Sequence, residues 1–123
     1  MTVVLDSSGW IELLSGSPRA RLYQPVLRAR CLLVPAIVRY EVGRYTLVHG
    51  GEGARELALR ALSKFELIPI DSLVADEASR LAQIHKLSMA DALVLAAARS
   101  VEAELWTQDR HFAGIPRVRF FRK

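Results

Sequence analysis

The stretch Thr2-Val3-Val4-Leu5-Asp6-Ser7-Ser8 joins a short apolar run, rich in β-branched residues, to an abrupt cluster of helix-capping side chains. Such a stretch predicts a strand that hands directly to a helix. The helix following it is short, Gly9 to about Leu14, and Ser15-Gly16-Ser17-Pro18 closes it and opens another. Ser17 is placed to cap that second helix and Pro18 to occupy its first position, with the helix running to about Ala29.

The same order recurs outward along the chain. Cys31 to Val34 is a second apolar strand, and Pro35 through Val48 carries Ile37, Val38, Val42, Tyr45 and Val48 on an amphipathic helical pattern. Gly50, Gly51 and Gly53 break it before a further helix, Ala54 to Ser63. Phe65 to Ile70 is the third strand. Asp71-Ser72 caps a helix to about His85, and Ser88 precedes an apolar helix that reaches Arg99. Glu102 to Trp106 is the fourth strand. A turn at Thr107-Gln108-Asp109 and a short helix around Arg110-His111-Phe112 lead to the fifth, Val118 to Phe121.

Short, nearly all-apolar strands alternating with helices predict an α/β domain whose parallel sheet is covered on both faces. Right-handed crossovers bring the helix starts to the carboxyl edge of the strands, where ligands bind. Asp6 and Asp109 directly follow strands one and four and so belong at that edge. A chain of 123 residues, 51% hydrophobic and 24% charged, is expected to form a single domain over residues 1–123 rather than a disordered segment.

The longest apolar run, Ala92 to Ala98, is far short of a bilayer span, and the amino terminus lacks a basic region ahead of an apolar stretch. A cytoplasmic protein without a membrane segment is expected. Cys31 is the sole cysteine, which excludes an internal disulfide and a cysteine-rich zinc site. The net charge is +4, yet setting aside Asp6, Glu41, Asp91 and Asp109 leaves 17 basic against 9 of the 13 acidic residues. A basic surface around an acidic pocket suits a polyanion whose phosphate is held by cations.

Each of the four acids has an ordinary alternative. Asp6 reads equally as a helix cap. Glu41 lies in the second turn of its helix, where Arg44 offers a surface ion pair, and spacing alone does not bring it to the carboxyl edge. Asp91 completes a capping box with Ser88. Asp109 suits a turn or the cap of the Arg110 helix. The remaining acids, from Glu12 to Glu104, read as solvated surface or cap positions. Together, however, acids gathered at one sheet edge repel unless a cation holds them. Hard oxygen ligands select Mg²⁺ or Mn²⁺ over zinc, and the implied chemistry is phosphodiester hydrolysis.

The segments VVLDSSGWIELL, VPAIVRYEVGR, LSMADALVLAAA and LWTQDRHF, in that order, resemble the four acidic motifs of PIN domains, most closely the compact VapC-type toxins. The similarity spans nearly the whole chain. It implies a three-layer α/β/α sandwich around a parallel sheet of about five strands. It also implies that Asp6, Glu41, Asp91 and Asp109 are the catalytic and metal-holding acids, with Ser7 and Thr107 orienting carboxylates or waters behind them. Many relatives carry a further acid two residues after the fourth, where this chain has His111. Arg39, Arg44, Arg110, His111 and Arg117 are candidate phosphate contacts.

The resemblance implies a metal-dependent endoribonuclease acting on RNA, held as a homodimer and silenced by a small antitoxin protein. Two rivals stand beside it. A response-regulator-like domain needs a second acid beside Asp6 and a lysine after the last strand, and here two serines follow Asp6. A catalytically silent PIN-like RNA-binding or scaffold module tends to lose acids, and all four are present.

Overall fold

Val3, Val4 and Leu5 are all fully buried. Consecutive strand residues point to opposite sides of a sheet, so a strand with no exposed side chain has both faces covered. The computed structural model describes residues 1–29 and 31–123. In it, β1 (Thr2–Leu5), β2 (Cys31–Pro35), β3 (Glu66–Ile68), β4 (Glu104–Thr107) and β5 (Val118–Phe120) form one sheet in the order β3-β2-β1-β4-β5. Every pairing is parallel. The α/β expectation is borne out, sheet and helices together forming the expected sandwich.

The order of the strands places the site. From β1 the chain builds outward through β2 to β3, then returns to lay β4 against the other side of β1, with Leu5 opposite Trp106. The point where the direction of winding reverses leaves a crevice at the carboxyl ends of β1 and β4. Asp6 and Asp109 stand on either side of it. The helices are α1 (Ser7–Ser15), α2 (Ala20–Tyr23), α3 (Ala36–Leu62), α4 (Ser72–His85) and α5 (Met89–Ser100). Because α3 follows β2 without a loop, its early turns stay near that edge. Helix α5 ends ahead of the amino end of β4, so it starts beside the acids.

Three departures from the sequence reading have local causes. The expected helix from Ser17 to Ala29 is only the single turn α2, followed by a 3-10 segment, Gln24–Arg28. Pro25 has no N–H to give to the carbonyl four residues back, which ends the α-helical ladder there. Ser17 does not cap α2; its hydroxyl donates instead to Glu12 Oε1 at 2.7 Å. The glycine break narrows to one residue, Gly51, whose φ of 84° interrupts α3 without a loop. The fourth strand begins two residues later than expected. Glu102 has a φ of 54° and belongs to the end of α5, where the Ala103 N–H reaches back to the Ala98 carbonyl at 2.9 Å.

Gly9 sets how closely α1 lies on β1. A Cβ there would stand 2.4 Å from Leu5 Cδ1 and 3.0 Å from Tyr23 Cε1, and both of those side chains are fully buried. Gly9→Ala is therefore expected to lower stability by about 1–3 kcal/mol through overpacking. A thermal melt of the variant indistinguishable from wild type would show that α1 has room to move.

Candidate active site

Asp6 ends β1 and opens α1, and its backbone N–H continues the sheet by donating to the Trp106 carbonyl at 3.0 Å. Its side chain is only 4% exposed. Oδ1 accepts from the Ser7 N–H at 2.8 Å, while Oδ2 accepts from Thr107 Oγ1 at 2.8 Å and from Ser8 Oγ at 3.3 Å. Burial pushes this carboxyl up to about 6, against the pull of the Thr107 and Ser7 hydrogen bonds; Asp91 and Asp109 push the same way as burial.

Glu41, on the second turn of α3, is half-buried. It is raised to about 7, first by burial and then by the charge of Asp6, with Asp91 and Asp109 adding to it; the Ser7 side chain opposes the rise. Spacing left the reach of Glu41 open; in the fold the charges of Asp6, Asp91 and Asp109 all act on it, after burial. Among the described residues it has no ion pair, so the Arg44 partner expected of a surface glutamate is not formed.

Asp91 lies in the first turn of α5 and is half-buried. Its N–H donates to Ser88 Oγ at 3.2 Å, but among the described residues no return bond from its carboxylate to the Ser88 N–H is made. The capping box is half formed. The backbone serves the cap and the carboxylate is left for the crevice. Burial and the charge of Asp109 raise Asp91, opposed by the Ser88 hydroxyl and by His111.

Asp109 caps the 3-10 turn Arg110–Phe112, accepting from the His111 N–H at 2.9 Å on the Oδ1 that also meets His111 Nδ1 at 2.8 Å. Its own N–H donates to Thr107 Oγ1 at 3.0 Å. One buried hydroxyl therefore ties Asp6 to Asp109. Asp91, Asp109 and His111 each present a ligand atom within 4.8 Å of the others'. Oxygen-rich donors with one imidazole, gathered this closely, fit a divalent cation.

The candidate cations divide. Arg110 and His111 border a groove beside Asp109, and Arg44 lines a second hollow with Ser7 and Glu41. Arg39 is turned away, donating to the Leu59 carbonyl at 3.2 Å. Arg117, which precedes β5 at the amino edge of the sheet, donates to the Glu102 carbonyl at the far end from the acids. Neither is placed to meet a phosphate at the crevice.

Sequence reasoning missed a buried network beside the site. Glu12, expected to be solvated, accepts from Gln108 Nε2 at 2.8 Å and from Ser17, and these bonds lower its pKa. Gln108 is buried, and its Oε1 accepts from Arg19 Nε at 2.7 Å and from the Tyr23 hydroxyl at 3.1 Å. These bonds fix the residue between Thr107 and Asp109. Flanked by Thr107 and Asp109, Gln108 carries no local signal of its burial in the sequence.

The profile of the PIN domain matches residues 3–118. Over 104 residues, 84% of this chain and 78% of the other, the sequence is 35% identical to Ribonuclease VapC46 of Mycobacterium tuberculosis. Among solved structures, a toxin-antitoxin complex from Klebsiella pneumoniae superposes with a TM-score of 0.81 at 30% identity, covering 95% of each chain. VapC20 of Mycobacterium tuberculosis, described as a sarcin-ricin loop cleaving toxin, shares the fold with a TM-score of 0.77 at 16% identity, covering 93% of this chain and 95% of that one.

Raised carboxyls make stability depend on pH with a definite sign. From ordinary values of 3.8 and 4.5, Asp6 and Glu41 move to about 6 and about 7 in the fold. Between those limits the folded state holds protons that the unfolded state has released, so stability present below pH 4 is lost as pH rises toward 7. In EDTA the melting temperature is expected to fall across this window, and Glu41→Gln should shrink the fall. Equal slopes for wild type and variant would remove Glu41 from the cluster.

Proposed function

The chain belongs to the PIN-domain family, and from that premise we propose that it is a metal-dependent endoribonuclease, the toxin of a VapBC-type toxin–antitoxin pair. The observation that carries this reading is the gathering of acids at one sheet edge: Asp91, Asp109 and His111 present ligand atoms within 4.8 Å of one another, Thr107 bonds both Asp6 and the Asp109 N–H, and burial first and neighbouring carboxylates second raise Asp6 and Glu41. A silent scaffold would have no reason to keep so costly a cluster.

Asp6, Glu41, Asp91 and Asp109 would hold Mg²⁺ or Mn²⁺, with His111 offering a nitrogen where many relatives carry an acid. When bound, the cation supplies an activated water and neutralises charge on the scissile phosphate and the leaving oxygen. The chain's own part is positional. Thr107 donates to Asp6 and accepts from the Asp109 N–H, so the two carboxylates keep their separation as the load changes. Ser7 gives its backbone N–H to Asp6 Oδ1 and shares a hollow with Glu41. Burial of Asp6 keeps bulk water from competing for its oxygens.

The Klebsiella relative was solved as a toxin-antitoxin complex, which supports a small protein partner for this chain as well. We take the working form to be a cytoplasmic homodimer; among the described residues no single helix is long and apolar enough to cross a membrane.

Single-stranded RNA should be cut with Mg²⁺ or Mn²⁺ present and left whole in EDTA. Glu41→Gln should abolish cutting without unfolding the protein, and Asp76→Asn, on an exposed position of α4, should leave the rate unchanged. Wild-type stability should rise with Mn²⁺ by RT ln(1 + [L]/Kd), raising the melting temperature, and Asp91→Asn should lose most of that rise. Undiminished cutting in EDTA, with contaminating nuclease excluded, would end the metal mechanism.

A further inference from the structure

Beside Asp109 and His111 opens a groove of about 750 Å³ whose far wall is the end of the chain, Phe120, Arg122 and Lys123, with Arg110 on its rim. Several arginines elsewhere in the chain are already engaged. Arg119 lies 4.4 Å over the Trp106 ring, Arg117 holds the Glu102 carbonyl, Arg39 the Leu59 carbonyl, and Arg55 pairs with Glu52. Among the described residues Arg110, Arg122 and Lys123 make no salt bridge and no side-chain hydrogen bond, and all three are exposed.

The terminal wall is held in place. Arg19 Nη2 donates to the Phe121 carbonyl at 3.3 Å and the Arg122 carbonyl at 3.4 Å, while its Nε is fixed on buried Gln108. Phe121 packs on Tyr23 and Trp106 with ring centroids 5.1 and 5.6 Å apart. The next residue back, Phe120, points to the other side of β5 and lines the groove half-buried, with no aromatic partner among the described residues. A fixed backbone thus presents one aromatic face and three unengaged cations next to the acidic crevice.

Cations that track a backbone, interleaved with an aromatic on which a base can stack, are what an unpaired nucleic acid strand requires. A duplex has its bases already stacked and offers only its phosphates. We infer that this groove is the track of the single-stranded RNA on one side of the cut, with Arg110, Arg122 and Lys123 on phosphates and Phe120 stacked on a base. The inference rests on the ribonuclease reading above and adds to it where the strand runs.

The test measures binding of a labelled single-stranded RNA by fluorescence anisotropy as salt is raised, with every protein in a Glu41→Gln background. Arg122→Ala/Lys123→Ala should weaken binding roughly ten-fold at low salt and make the log–log salt slope shallower by about 1.4, from two lost phosphate contacts. Phe120→Leu, which keeps an apolar side chain but removes the ring, should weaken binding about five-fold with the slope unchanged. Arg60→Ala/Lys64→Ala, an exposed pair away from the groove, should alter neither. The track is overturned if the tail pair leaves the slope unchanged or if the distant pair lowers it equally. Stacking is overturned if Phe120→Leu weakens duplex RNA as much as single strands. A parent protein that neither binds nor, with Glu41 restored, cuts single-stranded RNA would overturn the ribonuclease reading itself.

Discussion

At the switch point between β1 and β4 a carboxylate is buried among three others, and the fold has to tolerate it. Asp6 has little access to water, and an ionised group in that position is stable only if its oxygens are bonded. The chain answers with the Ser7 N–H on one oxygen and two hydroxyls on the other. These bonds lower the pKa but do not cancel the effect of burial, and the acid stays raised. The remainder of the free energy is left for whatever positive charge enters the crevice, which is how a site can bind a cation strongly without closing around it.

The end of β4 distributes three successive residues among three tasks. Thr107 faces inward to Asp6, Gln108 to the Glu12–Arg19–Tyr23 network, and Asp109 toward the crevice. Gln108 has its oxygen taken twice and its nitrogen at least once. A polar network satisfied in this way is stiff, because any shift strands a buried donor or acceptor. The same network carries Arg19, whose second nitrogen fastens the chain end. Rigidity at the acids and rigidity at the groove wall therefore have one source.

Much of this was legible in the sequence. Apolar runs ending in Asp, Ser or Pro marked β1, β2 and the starts of their helices, because strand burial and helix capping are both local and each leaves its mark on adjacent residues. Asp6 and Asp109 could be placed from strand ends alone. Glu41 could not, since a second-turn glutamate beside an arginine has the same local signature whether it faces solvent or a site, and only the family resemblance supplied its role. The collapse of the second helix has a local sign in Pro25, which a helix from Ser17 to Ala29 would have to span. What no local pattern could give was the Glu12–Gln108 bond, which joins residues 96 positions apart, and the turning away of Arg39 and Arg117 toward backbone carbonyls. Those depend on where distant elements meet.

The Thr107–Asp6 hydrogen bond spans 101 positions of sequence. Closing so long a loop depends on the pairing of β4 with β1. During synthesis a chain that has emerged only as far as α5 carries Asp6, Glu41 and Asp91 but neither the hydroxyl that seats Asp6 nor the acid beyond it. The site is therefore assembled only once β4 has joined the sheet, and no partly folded intermediate lacking that strand can bring all four acids to one edge.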